Sequence, residues 1–350
     1  MSNKKELNKV DNGQLGLDLF ELDPLLDKNY SNTLEIYDII GKYQYEKSGK
    51  FMKELKASDG EFSRQTVYQG HTINVSVTAA NIERKGKNGE AERVFVFPGP
   101  REEIIEDALK KMSTEKNRSE AYKQTVGKDN GQLLVGIGFS IFELQKELKR
   151  VGKTYSHNEI KEALEIMNKA GLNVASEDGA IDISAPFFPF VAISEKANKE
   201  VSRSFVCFHP FVTQVVLTKQ FRRYNYQKSL TFTKNYSRAM YKRLSHRWIQ
   251  AAPDKPYAIL LSTLLREMKT PNAKLFKDKE LFIGVFDDLL GSDVLSHYEA
   301  APKKEGRRII DWLFTLYPTE TFSKQQASNN KVQAITKAAP DSYLTFENEA

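Results

Sequence analysis

Five histidines (His71, His157, His209, His246, His297), one cysteine (Cys207), 15 tyrosines and a few adjacent carboxylates are the groups able to do chemistry in this 350-residue sequence. The histidines show no metal-ligand spacing, and no two of them flank a single residue as a metal-dependent nickase requires. A tyrosine attacking a phosphodiester needs a metal to activate the bond, and no ligand cluster is legible. Gly152-Lys153-Thr154 ends like a phosphate-binding loop, but Glu147 stands where its first glycine belongs. His209-Pro210-Phe211 opens like a motif of AMP-transferring enzymes. The acid and the Gly-Asn pair that should follow are replaced by Val212-Thr213-Gln214-Val215, so a helix start in a packed core is the plainer reading. Asp287 and Asp288 are neighbours on a helix, where side chains do not face each other. No catalytic residue, metal or cofactor is expected, and the chain reads as non-enzymatic.

Phosphate binding is the chemistry that survives. Net charge is +6 with a pI near 9.0, and mean hydropathy is −0.52. From Val201 to Pro253 there is no Asp or Glu, although the chain-wide frequency of 46 in 350 would put about seven there. The same stretch carries Arg203, Lys219, Arg222, Arg223, Lys228, Lys234, Arg238, Lys242, Arg243 and Arg247. A solvated surface normally mixes both signs, so this run reads as a polyanion footprint. Its aromatics (Phe221, Tyr224, Tyr226, Phe232, Tyr236, Tyr241, Trp248) read mainly as core, with stacking on unpaired bases as the other role. One cysteine rules out an internal disulfide framework, and no apolar run approaches a membrane span, so a cytoplasmic protein without membrane contact is expected.

The elements that must position these charges follow from periodicity. Residues 1–30 and 323–350 read as disordered tails. Phe62–Val77 and Arg93–Phe97 alternate apolar and polar, so 31–99 reads as a small β-containing N-terminal extension. Pro100 opens a helix through Met112, followed by a loop. Ser140 caps a helix with Leu144 and Leu148 inward. Ser156 and Glu159 stand at capping-box spacing before a helix with Ile160, Ala163, Leu164 and Met167 on one face, which Gly171 ends. Two strands joined by Glu177-Asp178-Gly179 complete a winged-helix order over 100–205. The order then recurs over 206–322: a basic helix 235–250, an apolar helix 256–268, and a third helix with Leu275, Phe282, Val285, Phe286 and Leu289 on one face. A hairpin tipped by Lys303, Lys304, Arg307 and Arg308 follows. The expected fold class is α+β, with two tandem winged-helix domains.

Three segments carry a resemblance: REEIIEDALKKM, FSIFELQKELKRVGKTYSHNEIKEALEIMNKAGLNV and FVCFHPFVTQVVLTKQFRRYNYQKSLTFTKNYSRAMYKRLSHRW. Over roughly Ile36 to Pro318 the chain resembles the iteron-binding replication initiators of theta-replicating bacterial plasmids. The resemblance implies tandem winged helices, binding to directly repeated duplex sites at an origin, local strand opening with contact to single-stranded origin DNA, and self-association to dimers. It also implies recruitment of the host initiator and replicative helicase, and repression of the protein's own promoter. A winged-helix transcriptional regulator that never opens an origin is the rival.

Recognition helices read base edges from their first turns while neighbouring helices and wings hold phosphates. The expected DNA contacts are therefore Asn158, Lys161 and Lys169 on one recognition helix and Lys274, Lys277 and Lys279 at the start of the other. Arg222, Arg223, Arg238, Lys242, Arg243, His246 and Arg247 come from the acid-free run, and Lys303, Lys304, Arg307 and Arg308 from the wing. Finally, Gln14-Leu15-Gly16-Leu17-Asp18-Leu19-Phe20 resembles the peptide by which proteins dock on the bacterial sliding clamp, with Gln14, Leu17, Leu19 and Phe20 as its contacts.

Overall fold

The computed structural model describes residues 6–9, 28–45, 60–68, 70–85, 89–114, 119–125, 132–194, 203–218, 220–269 and 274–338. The peptide Gln14–Phe20 lies outside them. The N-terminal third holds β1 (Glu6–Lys9), β2 (Tyr30–Leu34), α1 (Glu35–Ile39), β3 (Glu61–Tyr68), β4 (His71–Thr78), β5 (Ala80–Lys85) and β6 (Ala91–Val96). β3 and β4 form a hairpin whose turn needs the positive φ of Gly70, 87°.

The first winged-helix unit follows. Its helices are α2 (Pro100–Ser113), α3 (Ile141–Arg150) and α4 (His157–Lys169), with β7 (Ser119–Thr125) and β8 (Gln132–Phe139) between α2 and α3. Both capping boxes form: Ser140 Oγ accepts from Glu143 N at 3.1 Å, and Ser156 Oγ from Glu159 N at 3.2 Å. The stripe on α4 is fully buried, with Ile160, Ala163, Leu164 and Met167 inaccessible to solvent. β9 (Gly171–Ser176) and β10 (Asp182–Pro186) make the wing, and β11 (Phe190–Ala192), β12 (Ser204–Cys207) and α5 (Pro210–Leu217) return the chain. The loop expected after α2 is instead β7 and β8, central members of a sheet ordered β1-β7-β8-β12-β11. Leu134, Val135 and Ile137 of β8 are buried without the clean alternation that betrays a half-exposed strand.

The second unit begins with β13 (Phe221–Asn225), α6 (Tyr226–Thr231) and α7 (Asn235–Arg247). It continues with β14 (Tyr257–Leu260), α8 (Leu261–Met268), α9 (Leu275–Gly291), β15 (Leu295–Glu305), β16 (Arg308–Pro318) and α10 (Glu320–Ala338). The apolar run expected as one helix, 256–268, is split: β14 joins the wing sheet in the order β14-β16-β15 before α8 starts. On α9, Phe282, Val285, Phe286 and Leu289 are buried, as the periodicity predicts. Chain order and sheet order together make this unit a winged helix, and the fold as a whole is α+β.

The stretch 31–99 is shared between both units. β4 pairs with β9 from Ile73↔Ser176 to Thr78↔Gly171, extending the first wing to β10-β9-β4-β3. β2 pairs with β13, and α1 packs on α7. Most of α10 also lies where a loose tail was expected. Phe322, Gln326 and Asn329 on it are buried, and Asn329 donates to the Arg223 carbonyl at 2.8 Å. Its Gln, Ser and Asn content hid it, because packing rather than propensity holds this helix.

Candidate nucleic-acid interface

The acid-free run turns most of its cations inward or leaves them partly covered, while Arg203 and Lys234 stay exposed. Of its expected phosphate contacts, Arg222, Arg238, Lys242, Arg243 and His246 are buried. Arg238 donates to Glu103 at 2.8 and 3.1 Å. Lys242 meets Asp107 at 2.6 Å and Glu103 at 3.4 Å. Arg243 is ion-paired with Glu267, whose second carboxylate oxygen accepts from Thr66 Oγ1 at 2.9 Å. Arg222 donates to the Ser245 carbonyl and to Asn330. His246 Nε2 contacts the Thr33 carbonyl at 2.9 Å; burial, reinforced by the Arg222 charge, pushes its pKa down to about 3, so it is a neutral donor. Arg223 lies over the Tyr30 ring at 4.1 Å, and Arg247 is half-buried against Glu35 at 3.2 Å. Arg222, Arg238, Lys242, Arg243 and His246 hold the protein together, and the expectation that these five grip phosphate is withdrawn; Arg223 and Arg247 are only partly buried. A cation held at 2.6–3.4 Å by buried carboxylates has no reach to DNA.

Their partners form one cluster. Asp38 of α1 and Glu103, Glu106 and Asp107 of α2 face Lys42, Lys110, Arg238 and Lys242, four carboxylates against four cations. Tyr37 donates to Glu106 at 2.6 Å, Tyr45 donates to Glu103 at 2.9 Å, and Tyr43 also donates to Glu106. Burial alone would raise the Asp38, Glu103 and Glu106 carboxyls. The neighbouring ammonium and guanidinium groups outweigh it and hold all three below the usual carboxylate range. The polyanion that matches the acid-free run is therefore α2, more than 100 residues earlier in the chain. Its spacing was a readable signal: Glu102, Glu103, Glu106 and Asp107 crowd one helix that also carries a full apolar stripe.

What remains exposed is concentrated in the second unit. Lys303, Lys304, Arg307 and Arg308 surround the wing turn, where Gly306 takes φ 58°, and Glu305 is the one carboxylate among them. Lys274 and Lys277 are exposed at the start of α9. Lys279 is not: it lies half-buried with its ammonium 4.3 Å from the Trp312 ring and 5.4 Å from Phe276. The expected DNA contact is thus a strut between α9 and β16. One residue along, Asp311 accepts from the Ser262 backbone and hydroxyl at 3.1 and 2.6 Å, fixing the start of α8 to the same strand. Two helix starts and the wing strand converge there, which is the corner a winged helix presents to a groove.

In the first unit, Asn158 is exposed in the first turn of α4, Lys161 is half-buried, and Lys169 is exposed and paired with Glu165 at 2.6 Å. The acids on this helix are all engaged. Glu162 accepts from Arg84 at 2.7 Å and Arg101 at 2.9 Å, and Glu159 closes the capping box. Sequence reasoning missed Phe276, which is 63% exposed beside Lys277. Among the described residues no group of three His, Cys, Asp or Glu side chains is arranged to hold a metal, and no helix is long and apolar enough to cross a membrane.

No protein-family model matches the chain, and no curated protein matches it. Solved structures do. Domains 2 and 3 of RctB are similar at 10% identity and a TM-score of 0.42, over 74% of this chain and 91% of that one. A second structure of those RctB domains gives 8% and 0.39, over 83% and 99%. The Pi initiator protein in complex with iteron DNA gives 14% and 0.39, over 53% of this chain and 82% of that one. At these identities the likeness is one of fold alone.

Proposed function

We propose that this chain is a non-enzymatic replication initiator that binds directly repeated duplex sites at an origin. The carrying observation is the second unit's corner: the exposed cations of the α9 start and the wing flank one winged-helix face, while Arg222, Arg238, Lys242 and Arg243 of the acid-free run are taken up internally. The contacts are then Lys274 and Lys277 in a major groove, with Lys303, Lys304, Arg307 and Arg308 on flanking phosphates. Asn158 and Lys161 read a second groove, with Lys169 at the far end of that helix. Asn suits adenine and Lys suits guanine.

The choice of an initiator over a transcriptional regulator rests on the sequence resemblance. With it come strand opening, contact with single-stranded origin DNA, dimers, recruitment of host initiator and helicase, repression of the protein's own promoter, and docking of Gln14–Phe20 on the sliding clamp. Footprinting on the DNA flanking the gene is the test. Protection of several direct repeats of one sequence supports the initiator. A single inverted repeat moves the assignment to the regulator, and no protected site at all removes the reading.

A further inference from the structure

The first turn of α9 is pinned on its inner side and open on its outer side. Asp278 is buried and ion-paired with Lys269 at 3.2 Å, and Lys279 packs its ammonium over Trp312. These two contacts fix the helix start against the core and against β16. They leave Phe276 and Lys277 pointing out, with Lys274 just before them. Phe276 is 63% exposed, an unfavourable place for a benzyl group unless something covers it when the protein works. The Lys279 ammonium lies 5.4 Å from the centre of its ring, within cation–π reach.

The chemistry of a major groove offers one apolar feature at a base edge, the C5-methyl of thymine. Everything polar in the groove is served by donors and acceptors that Phe276 lacks. The flanking lysines favour an anionic partner over an apolar protein surface. We propose that Phe276 is a specificity-determining residue that packs on a thymine methyl of the bound duplex, next to the base or phosphate met by Lys277. The proposal rests on the DNA-binding reading above and names a base that reading leaves open. Lys279, packed between Trp312 and the Phe276 ring, is then a positioning residue.

The test is a thymine-to-uracil scan of the DNA fragment that the full-length protein protects, replacing one thymine at a time and so deleting one methyl. Wild type should lose about three- to fivefold in affinity at one thymine, or at two neighbouring ones, the worth of one buried methyl. Phe276→Ala should weaken binding to the unmodified fragment by a comparable or larger factor and be indifferent to uracil at that position, while keeping the wild-type salt slope. Phe276→Leu, which keeps an apolar tip, should retain part of the sensitivity. Circular dichroism and the unfolding midpoint of both variants should match wild type, because the ring is exposed. Three results overturn the proposal. One is a uracil profile in Phe276→Ala identical to that of wild type. Another is unchanged affinity in Phe276→Ala, which would assign the ring to a protein partner. The third is a wild-type profile with no sensitive thymine. Absence of any specific fragment would instead sink the DNA-binding reading itself, so the two failures are told apart.

Discussion

Lys242→Met separates a structural cation from a DNA-binding one. In the folded protein the Lys242 ammonium lies 2.6 Å from Asp107 and 3.4 Å from Glu103, with 2% of its side chain exposed. Methionine keeps most of the volume and removes the charge. The two carboxylates are then left with Lys110 at 3.2 Å from Asp107 and Arg238 at 2.8 Å from Glu103. Removing one partner of a buried ion pair costs about 3–5 kcal/mol, and because both acids keep a second cation the lower end applies, about 3 kcal/mol. Chemical denaturation gives that number directly. Asp107→Asn in the same background should recover part of the loss, since it removes the charge left behind. DNA binding by the folded variant should keep its slope of log affinity against log salt. A stability loss under about 0.5 kcal/mol together with a slope lower by about one unit would mean that Lys242 faces phosphate, and the burial argument would be wrong.

Replacing Lys303, Lys304, Arg307 and Arg308 together by alanine should do the opposite, leaving stability unchanged and lowering the salt slope by up to about 3.6, at roughly 0.9 per phosphate contact; an unaltered slope removes the wing from the interface. Asn158→Ala and Lys277→Ala should each cost about 1–3 kcal/mol of binding and relax preference at one base position in a selection from randomised sites. Acid should begin to destabilise the fold above the usual carboxylate range. Burial holds His246 down at about 3 and His209 at about 4, against 6.5 when unfolded, so the unfolded state binds the extra protons as pH falls. Stability should therefore drop between pH 6.5 and 4, by at most about 1.4 kcal/mol per pH unit for each histidine. His246→Gln should remove one proton's worth of that slope in urea titrations at pH 7, 6 and 5.

Local chemistry was legible where the interacting residues are close in sequence. Ser140 with Glu143 and Ser156 with Glu159 are three apart, and both capping boxes form. The Gly179 turn, the α9 stripe and the wing charges were read for the same reason. The strands β8 and β12 were not, because a strand buried on both faces has no alternation to detect. The break between β14 and α8 was hidden because Tyr257–Leu265 is apolar except at Ser262 and Thr263, and a short apolar run does not say which period it follows. In the α10 segment, polar composition concealed a helix that tertiary contacts stabilise.

The charge reading failed for a physical reason with wider use. A sequence window reports the sign of its own residues, whereas electrostatic pairing depends on distance in space. Arg238 and Glu103 are 135 residues apart in the chain and 2.8 Å apart in the fold. An acid-free basic run thus has two explanations, an external polyanion or an internal one, and the second predicts an acid-rich helix elsewhere with its own apolar stripe. α2 is that helix. Because the cluster joins α1, α2 and α7, it connects one helix of each winged unit. Solvent ions screen so deeply buried a cluster only weakly. The spacing between the two proposed grooves is therefore a property of the folded core, and salt should change how tightly the protein grips DNA without changing the length it covers.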